Sequence, residues 1–184
     1  NLGSLGNGGA VTTRNETLAN QIRSLRNYGS SERYVYEMLG MNSRLDEFQA
    51  AALDCKLPYL AEENVVRKDI ADQYFERLKS VSGLVLPHVL AREGFDAVWH
   101  QFPVLTRSRR ALQQFLSARG VSTLIHYPVA NHRQPALKQL PYLFDLCLPG
   151  CERVAHEVLS LPVSPEHERD EIDRVCDVII EYFT

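Results

Sequence analysis

The chain has 184 residues, 45% of them hydrophobic and 23% charged, with a formal net charge of -3. That is the make-up of a soluble globular protein with room for one full domain, or for one small domain and part of another. No basic block gives the footprint of a nucleic-acid binder, no apolar run approaches the roughly 20 residues of a membrane span, and no secretory leader is visible. The four cysteines, Cys55, Cys147, Cys151 and Cys176, have no histidine at zinc-site spacing and suit buried thiols in a reducing cytoplasm.

In chain order, Asn1 to Thr13 reads NLGSLGNGGAVTT, a glycine-rich loop running into a β-branched strand from Ala10 to Thr13. Glycine lets a ligand or another strand approach closely, so this stretch suits either a binding wall or a plain loop before a hairpin. Leu18, Ile22 and Leu25 predict a helix over Asn15 to Leu25 with Asn15 at its cap. Arg26 to Ser31 then reads as a polar loop. A long helical region is expected from Leu45 to Lys79, broken or kinked at Pro58, with Val66, Ile70, Tyr74 and Leu78 on one face.

Gly83 to Gly94 has the composition of a linker, and the character of the sequence changes beyond it. Val98 to Leu105 is strand-like, with Pro103 arguing for an edge or a strand end. Arg109 to Arg119 predicts an amphipathic helix through Leu112, Phe115 and Leu116, closed by Gly120. Val121 to Tyr127 is β-rich, and Pro128 to Pro149 is irregular and aromatic. A helix from Pro149 to Ser160, a short strand from Leu159 to Val163 and a last helix from Glu166 to Phe183 complete the order. That helix is expected to bury Ile172, Val175, Ile179 and Phe183, and its acidic first turns suit a helix N-terminus. The reading is α/β: a strand and long helices without the rest of their sheet, then a small domain containing a βαβ unit.

Three polar stretches carry possible chemistry. Arg26, Asn27 and Tyr28 combine a guanidinium, an amide and a phenol, which suits either a grip on phosphate and sugar hydroxyls or a solvated helix-ending loop. Asn42 and Ser43 stand before the second helix, where they suit capping or an anion at the helix N-terminus. His126, Tyr127, His132 and Arg133 leave a strand together, where sites collect.

Taken together, NLGSLGNGGAVTT, LRNYGSSERY, GMNSRLDEFQAAAL and IHYPVANHRQPA resemble, in order and spacing, stretches of the DegT/StrS-type nucleotide-sugar aminotransferases. These are pyridoxal-phosphate enzymes of fold type I. The resemblance implies that residues 1–82 form the edge of the cofactor-binding large domain with its connecting helices, and residues 83–184 a small C-terminal α/β domain. It implies a homodimer with shared active sites, pyridoxal 5'-phosphate as cofactor, a nucleotide-linked keto-sugar as substrate, an amino-acid donor such as glutamate, and a cytoplasmic location. In the family the Schiff-base lysine lies immediately before the segment matching Asn1. No catalytic residue is therefore expected in this chain, and Lys56, Lys68, Lys79 and Lys138 match nothing catalytic. The match to Asn42 implies a contact to the cofactor phosphate of the partner subunit. The matches to Arg26, Asn27 and Tyr28 imply contact with the nucleotide-sugar pyrophosphate, and those to His126, Tyr127 and His132 a place on the sugar side. Two alternatives remain: a dehydratase, since some relatives carry His in place of the lysine, although Asn1-Leu2-Gly3 looks more like the lysine-bearing members; and a non-catalytic dimerising or regulatory module.

Overall fold

The computed structural model describes residues 1–88 and 97–184. They divide into two compact units, Asn1–Leu60 and Ala61–Thr184. The division falls before the boundary at 82/83 expected from the linker, because the long helix after Pro58 buries its apolar face in the core of the second unit.

In the first unit, α1 (Glu16–Leu25) begins where expected, and Asn15 Oδ1 accepts the Leu18 N–H at 3.1 Å. The expected polar loop instead forms a small antiparallel hairpin, β1 (Ser30–Glu32) against β2 (Val35–Tyr36), with Tyr34 at positive φ in its turn. Helix α2 (Glu47–Lys56) follows. The strand expected over Ala10 to Thr13 is absent: the segment is exposed, with no described strand beside it to complete a ladder. Neither α1 nor α2 buries a residue, and Leu39, Phe48 and Tyr34 are largely exposed. The described residues of this unit therefore contain no hydrophobic core. Their apolar faces are of the kind a two-layer domain covers with a further layer.

The second unit is built around α3 (Leu60–Leu78), reached from α2 through the 3-10 turn Leu57–Tyr59 that Pro58 imposes. Ile70, Ala71, Tyr74 and Leu78 are buried on one face, as their spacing predicts. They pack into a core with β3 (Phe102–Leu105), α4 (Arg109–Ala118), β4 (Val158–Leu161) and α7 (Arg169–Phe183). Between α4 and β4 the chain forms only short turns, a four-residue helix α5 (Pro141–Phe144) and α6 (Pro149–Glu157). Leu112 and Leu116 of α4, and Ile172, Val175 and Ile179 of α7, are buried, while Phe183 is only half-buried. Each such aliphatic side chain contributes about 1.5–3 kcal/mol on burial. Helix α7 starts later than Glu166 because Glu168 and Glu171 form a reciprocal capping box that fixes its first turn.

The sheet differs from the expected βαβ. Strand β4 pairs antiparallel with β3, Phe102 opposite Leu161 and Val104 opposite Leu159. On its other side, among the described residues, it bridges only Leu124, through Ser160. The segments before and after α4 thus flank β4 rather than each other. The ladder to Val121–Tyr127 stops after one bridge: toward Val121 the next residue on that side of β4 is Pro162, which has no N–H to give, and at the other end the Val158 N–H goes to Val154 O. Pro103 plays the same part on β3, whose outer side, among the described residues, pairs only Leu105 with Val85. Val85 and the buried Leu84 belong to the stretch read as a linker, whose remainder from residue 89 to 94 lies outside the described residues. No helix among the described residues is long and apolar enough to cross a membrane.

The cysteines depart from expectation as well: Cys55, Cys147 and Cys151 are exposed and only Cys176 is buried. Burial pushes the Cys176 thiol up to about 12, so it stays protonated and unreactive near neutral pH. At about pH 8 an alkylating reagent is expected to leave Cys176 unmodified in the folded protein and to label it after denaturation, as read by peptide mass spectrometry. Labelling of the native protein at that position would contradict the packing of α7.

Candidate functional site

In the first unit, two glycines bring the polar stretches together. Gly29 has φ +79°, and a Cβ there would lie 1.7 Å from the Met38 carbonyl oxygen. A Cβ on Gly40 would lie 2.1 Å from the Gly29 nitrogen and 2.5 Å from the Tyr28 carbonyl carbon. Only glycine allows two backbone segments to approach this closely. The segments are then laced by main-chain bonds: Met41 N–H to Leu25 O at 2.8 Å, Tyr28 N–H to Met41 O at 3.0 Å and Ser43 N–H to Arg26 O at 2.9 Å. Asn27 and Asn42 form a β-bridge. Arg26, Asn27 and Tyr28 are thereby held beside Asn42, although a helix-ending loop and a hairpin separate them in sequence.

The side chains in this cluster are available for a ligand. Asn42 does not cap α2, nor does Ser43: the cap position belongs to Asp46, whose side chain makes no capping bond. Asn42 Oδ1 instead accepts from Arg44 Nε at 3.2 Å, which leaves the amide N–H groups of Asn42 as donors. The Arg44 guanidinium also lies 5.6 Å from the centre of the Tyr28 ring, an arrangement that holds both side chains in place. Arg26 and Arg44 together supply a positive field, and Asn42 and Tyr28 supply neutral donors. Arg44 escaped the sequence reading; its one signal was its place two residues after Asn42 in the same motif. The glycine-rich opening is tied to α2 by Lys56 Nζ donating to Gly3 O at 2.7 Å and by Gln49 Nε2 donating to Asn7 O at 3.4 Å. Lys56 thus has a structural partner. Lys68 pairs with Asp72 on the exposed side of α3.

The second unit contains the His126 to Arg133 stretch, which the fold divides in two. His126 Nδ1 is 2.9 Å from Ser160 Oγ on β4, and its ring meets the exposed Tyr127 ring edge-on at 5.6 Å. His132 is turned inward, 7% exposed, with Nε2 donating to Glu152 Oε1 of α6 at 3.1 Å. The same carboxylate oxygen accepts from Arg133 Nε at 3.1 Å, while Arg133 Nη1 donates to Phe144 O at 2.8 Å. Hydrogen bonds from His132 and then Arg133 hold the Glu152 carboxyl below the usual carboxylate range. This cluster clamps the irregular segment onto α6 and leaves His126 and Tyr127 as the open part of the motif. Burial above all holds the His100 imidazole below its ordinary value. Glu152 and Ser160 were missed in sequence; a lone serine within the apolar run Val158 to Val163 was the available signal for the second.

Residues 1–180 match the model of the DegT/DnrJ/EryC1/StrS aminotransferase family, and that match decides the classification. The chain belongs to that family. It is 46% identical over 175 residues to the erythromycin biosynthesis sensory transduction protein EryC1 of Saccharopolyspora erythraea, covering 95% of this chain and 47% of that protein. It is 44% identical over 183 residues to the dTDP-3-amino-3,4,6-trideoxy-alpha-D-glucose transaminase of Streptomyces venezuelae, covering 99% of this chain and 47% of the relative. The crystal structure of S. venezuelae DesV superimposes with a TM-score of 0.89 at 43% identity, over 98% of this chain and 48% of DesV. A family member from Bacillus subtilis, solved with bound cofactor PMP, superimposes with a TM-score of 0.82 at 29% identity, over 93% of this chain and 40% of that one. The mixed α/β fold of the chain is thus that of part of a DegT-family aminotransferase. The chain spans about half the length of the curated relatives it matches.

Proposed function

We propose that this chain is the C-terminal part of a pyridoxal-phosphate-dependent aminotransferase that aminates a nucleotide-linked keto-sugar, with glutamate as the donor. The observation that carries the proposal is the convergence of Arg26, Asn27 and Tyr28 with Asn42 and Arg44 on one glycine-dependent junction. Two guanidinium groups, two amides and a phenol fit phosphate groups of either the cofactor or the nucleotide. Relatives named as sugar transaminases align over nearly all of the chain.

In this reading the amide of Asn42 holds the cofactor phosphate, and the whole enzyme is a homodimer in which Asn42 serves the partner subunit's site. Arg26, Asn27 and Tyr28 hold the sugar pyrophosphate. His126 and Tyr127 face the sugar, and His132 shapes that side through its bond to Glu152. The bound cofactor supplies the electron sink for moving the amine. The lysine that carries it is expected in the part of the enzyme preceding Asn1.

The test uses the full-length protein. With pyridoxal phosphate added, a visible absorption band should appear and change when glutamate is supplied; no band and no change would remove the aminotransferase reading. Regulatory function is the second reading, favoured by a 36% identical relative, the pleiotropic regulatory protein of Geobacillus stearothermophilus, and the same spectrum separates the two. His126→Ala is expected to lower turnover of the keto-sugar about tenfold, the worth of one hydrogen bond made to the reacting substrate. The half-reaction with glutamate should stay within about twofold. Equal loss of both half-reactions would take His126 off the sugar side.

A further inference from the structure

Ser160 is a polar residue in the middle of a strand whose other members are Val158, Leu159 and Leu161, and it is only 5% exposed. Its main chain is fully used by the bridge to Leu124, giving its N–H at 2.7 Å and accepting at 3.3 Å. Its hydroxyl has a single hydrogen-bond partner among the described residues, His126 Nδ1 at 2.9 Å. A buried hydroxyl in an apolar strand costs stability unless its hydrogen finds an acceptor. The arrangement calls for an explanation beyond packing, since Ala or Val would fill the same place without that demand.

A hydroxyl carries one hydrogen and two lone pairs. An unused lone pair is tolerated far better than a buried hydrogen with no acceptor. Nδ1 is the acceptor on hand, so the serine donates and Nδ1 keeps its lone pair. In a neutral imidazole the ring hydrogen then sits on Nε2. The T-shaped contact with Tyr127 orients the same ring from a second direction.

We propose that Ser160 is a positioning residue that locks His126 as the Nε2–H tautomer, so that the imidazole offers a hydrogen-bond donor to an oxygen of the bound sugar. The identity of that oxygen's owner rests on the sugar-side reading of His126; the tautomer does not. The same geometry makes His126 discriminating: a donor at that point accepts a carbonyl or hydroxyl oxygen and rejects a group that can only donate.

The test reads the tautomer directly in the full-length protein with 15N-labelled histidine, the His126 signal being assigned by its loss in His126→Asn. Long-range proton–nitrogen spectra of the wild type without substrate should show Nδ1 unprotonated and Nε2 protonated. The opposite tautomer in the wild type would overturn the proposal before any variant is made. Ser160→Ala should move the His126 nitrogens toward averaged values, and Ser160→Thr, which keeps the hydroxyl, should restore the wild-type pattern. An unchanged tautomer in Ser160→Ala would overturn it as well. Kinetically, Ser160→Ala should raise KM for the keto-sugar about twofold, as the share of the donor tautomer falls, and spare the glutamate half-reaction. In a His126→Asn background the same change should add nothing, since an indirect effect disappears with the group it acts through. A persistent effect there would show that the serine acts by another route. A shifted tautomer with no change in sugar KM would support the role of Ser160 and count against the sugar-side reading of His126.

Discussion

Gly40→Ala in the full-length protein is expected to raise KM for the nucleotide sugar at least tenfold and to destabilise the first unit by about 3 kcal/mol, the upper end of overpacking costs. The added methyl would stand 2.1 Å from the Gly29 nitrogen, 2.5 Å from the Tyr28 carbonyl carbon and 2.7 Å from the Leu25 carbonyl oxygen. All three are backbone atoms, so no side chain can rotate away to make room. The segments must part, breaking the bonds from Met41, Tyr28 and Ser43 and separating Asn42 from Arg26. Gly120→Ala is the control. Its φ is +80° but nothing stands within 4 Å of the new Cβ, so backbone strain alone remains and should cost about 1 kcal/mol. Equilibrium denaturation of both variants, with sugar KM alongside, checks the contrast. A Gly40→Ala enzyme with wild-type KM would show that the junction does not build the anion site.

Tyr74→Ala is expected to cost about 3–5 kcal/mol, as for other buried aromatic truncations. The Tyr74 ring is fully buried and lies 4.9 Å from that of Phe102, which in turn contacts Phe75 and Trp99. Its hydroxyl donates to Pro162 O at 2.9 Å, immediately beyond β4. Burial raises its ionisation far above the ordinary phenol range, so it remains a hydrogen-bond donor throughout the accessible pH range. Tyr74→Phe keeps the ring and removes only that bond, and should cost about 1 kcal/mol. Thermal or denaturant unfolding separates the two contributions. Equal losses in the two variants would mean that the hydroxyl, rather than the ring, holds α3 against β4.

How far the sequence speaks depends on the range of the interaction involved. The Asn15 cap, the break at Pro58, the buried face Ile70–Tyr74–Leu78 and the stop at Gly120 all follow from contacts within one or two turns of helix, and each is where its residues predict. The same holds for the family pattern, which lies in ordered stretches of sequence. The expectations that moved were those needing a partner distant in the chain. Ala10 to Thr13 is β-branched, yet no described strand lies beside it. Val121 to Tyr127 has the composition of a strand but shares only one bridge, because Pro162 offers no hydrogen and that of Val158 goes to Val154. Cys55, Cys147 and Cys151, expected as buried thiols, are exposed.

The candidate site divides in the same way. Residue types alone identified Arg26, Asn27, Tyr28, Asn42 and His126 as groups with useful chemistry. Composition cannot say that Gly29 and Gly40 let two backbones touch, since that depends on which atoms a missing Cβ would strike. Nor can it say that His132 turns to Glu152 while His126 turns to Ser160. By itself the sequence determined the helices and the family, because local periodicity and ordered motifs are written along the chain. The tertiary structure alone decided which donors converge and which imidazole stays open, because those choices depend on backbone approaches and buried hydrogens between residues far apart in sequence.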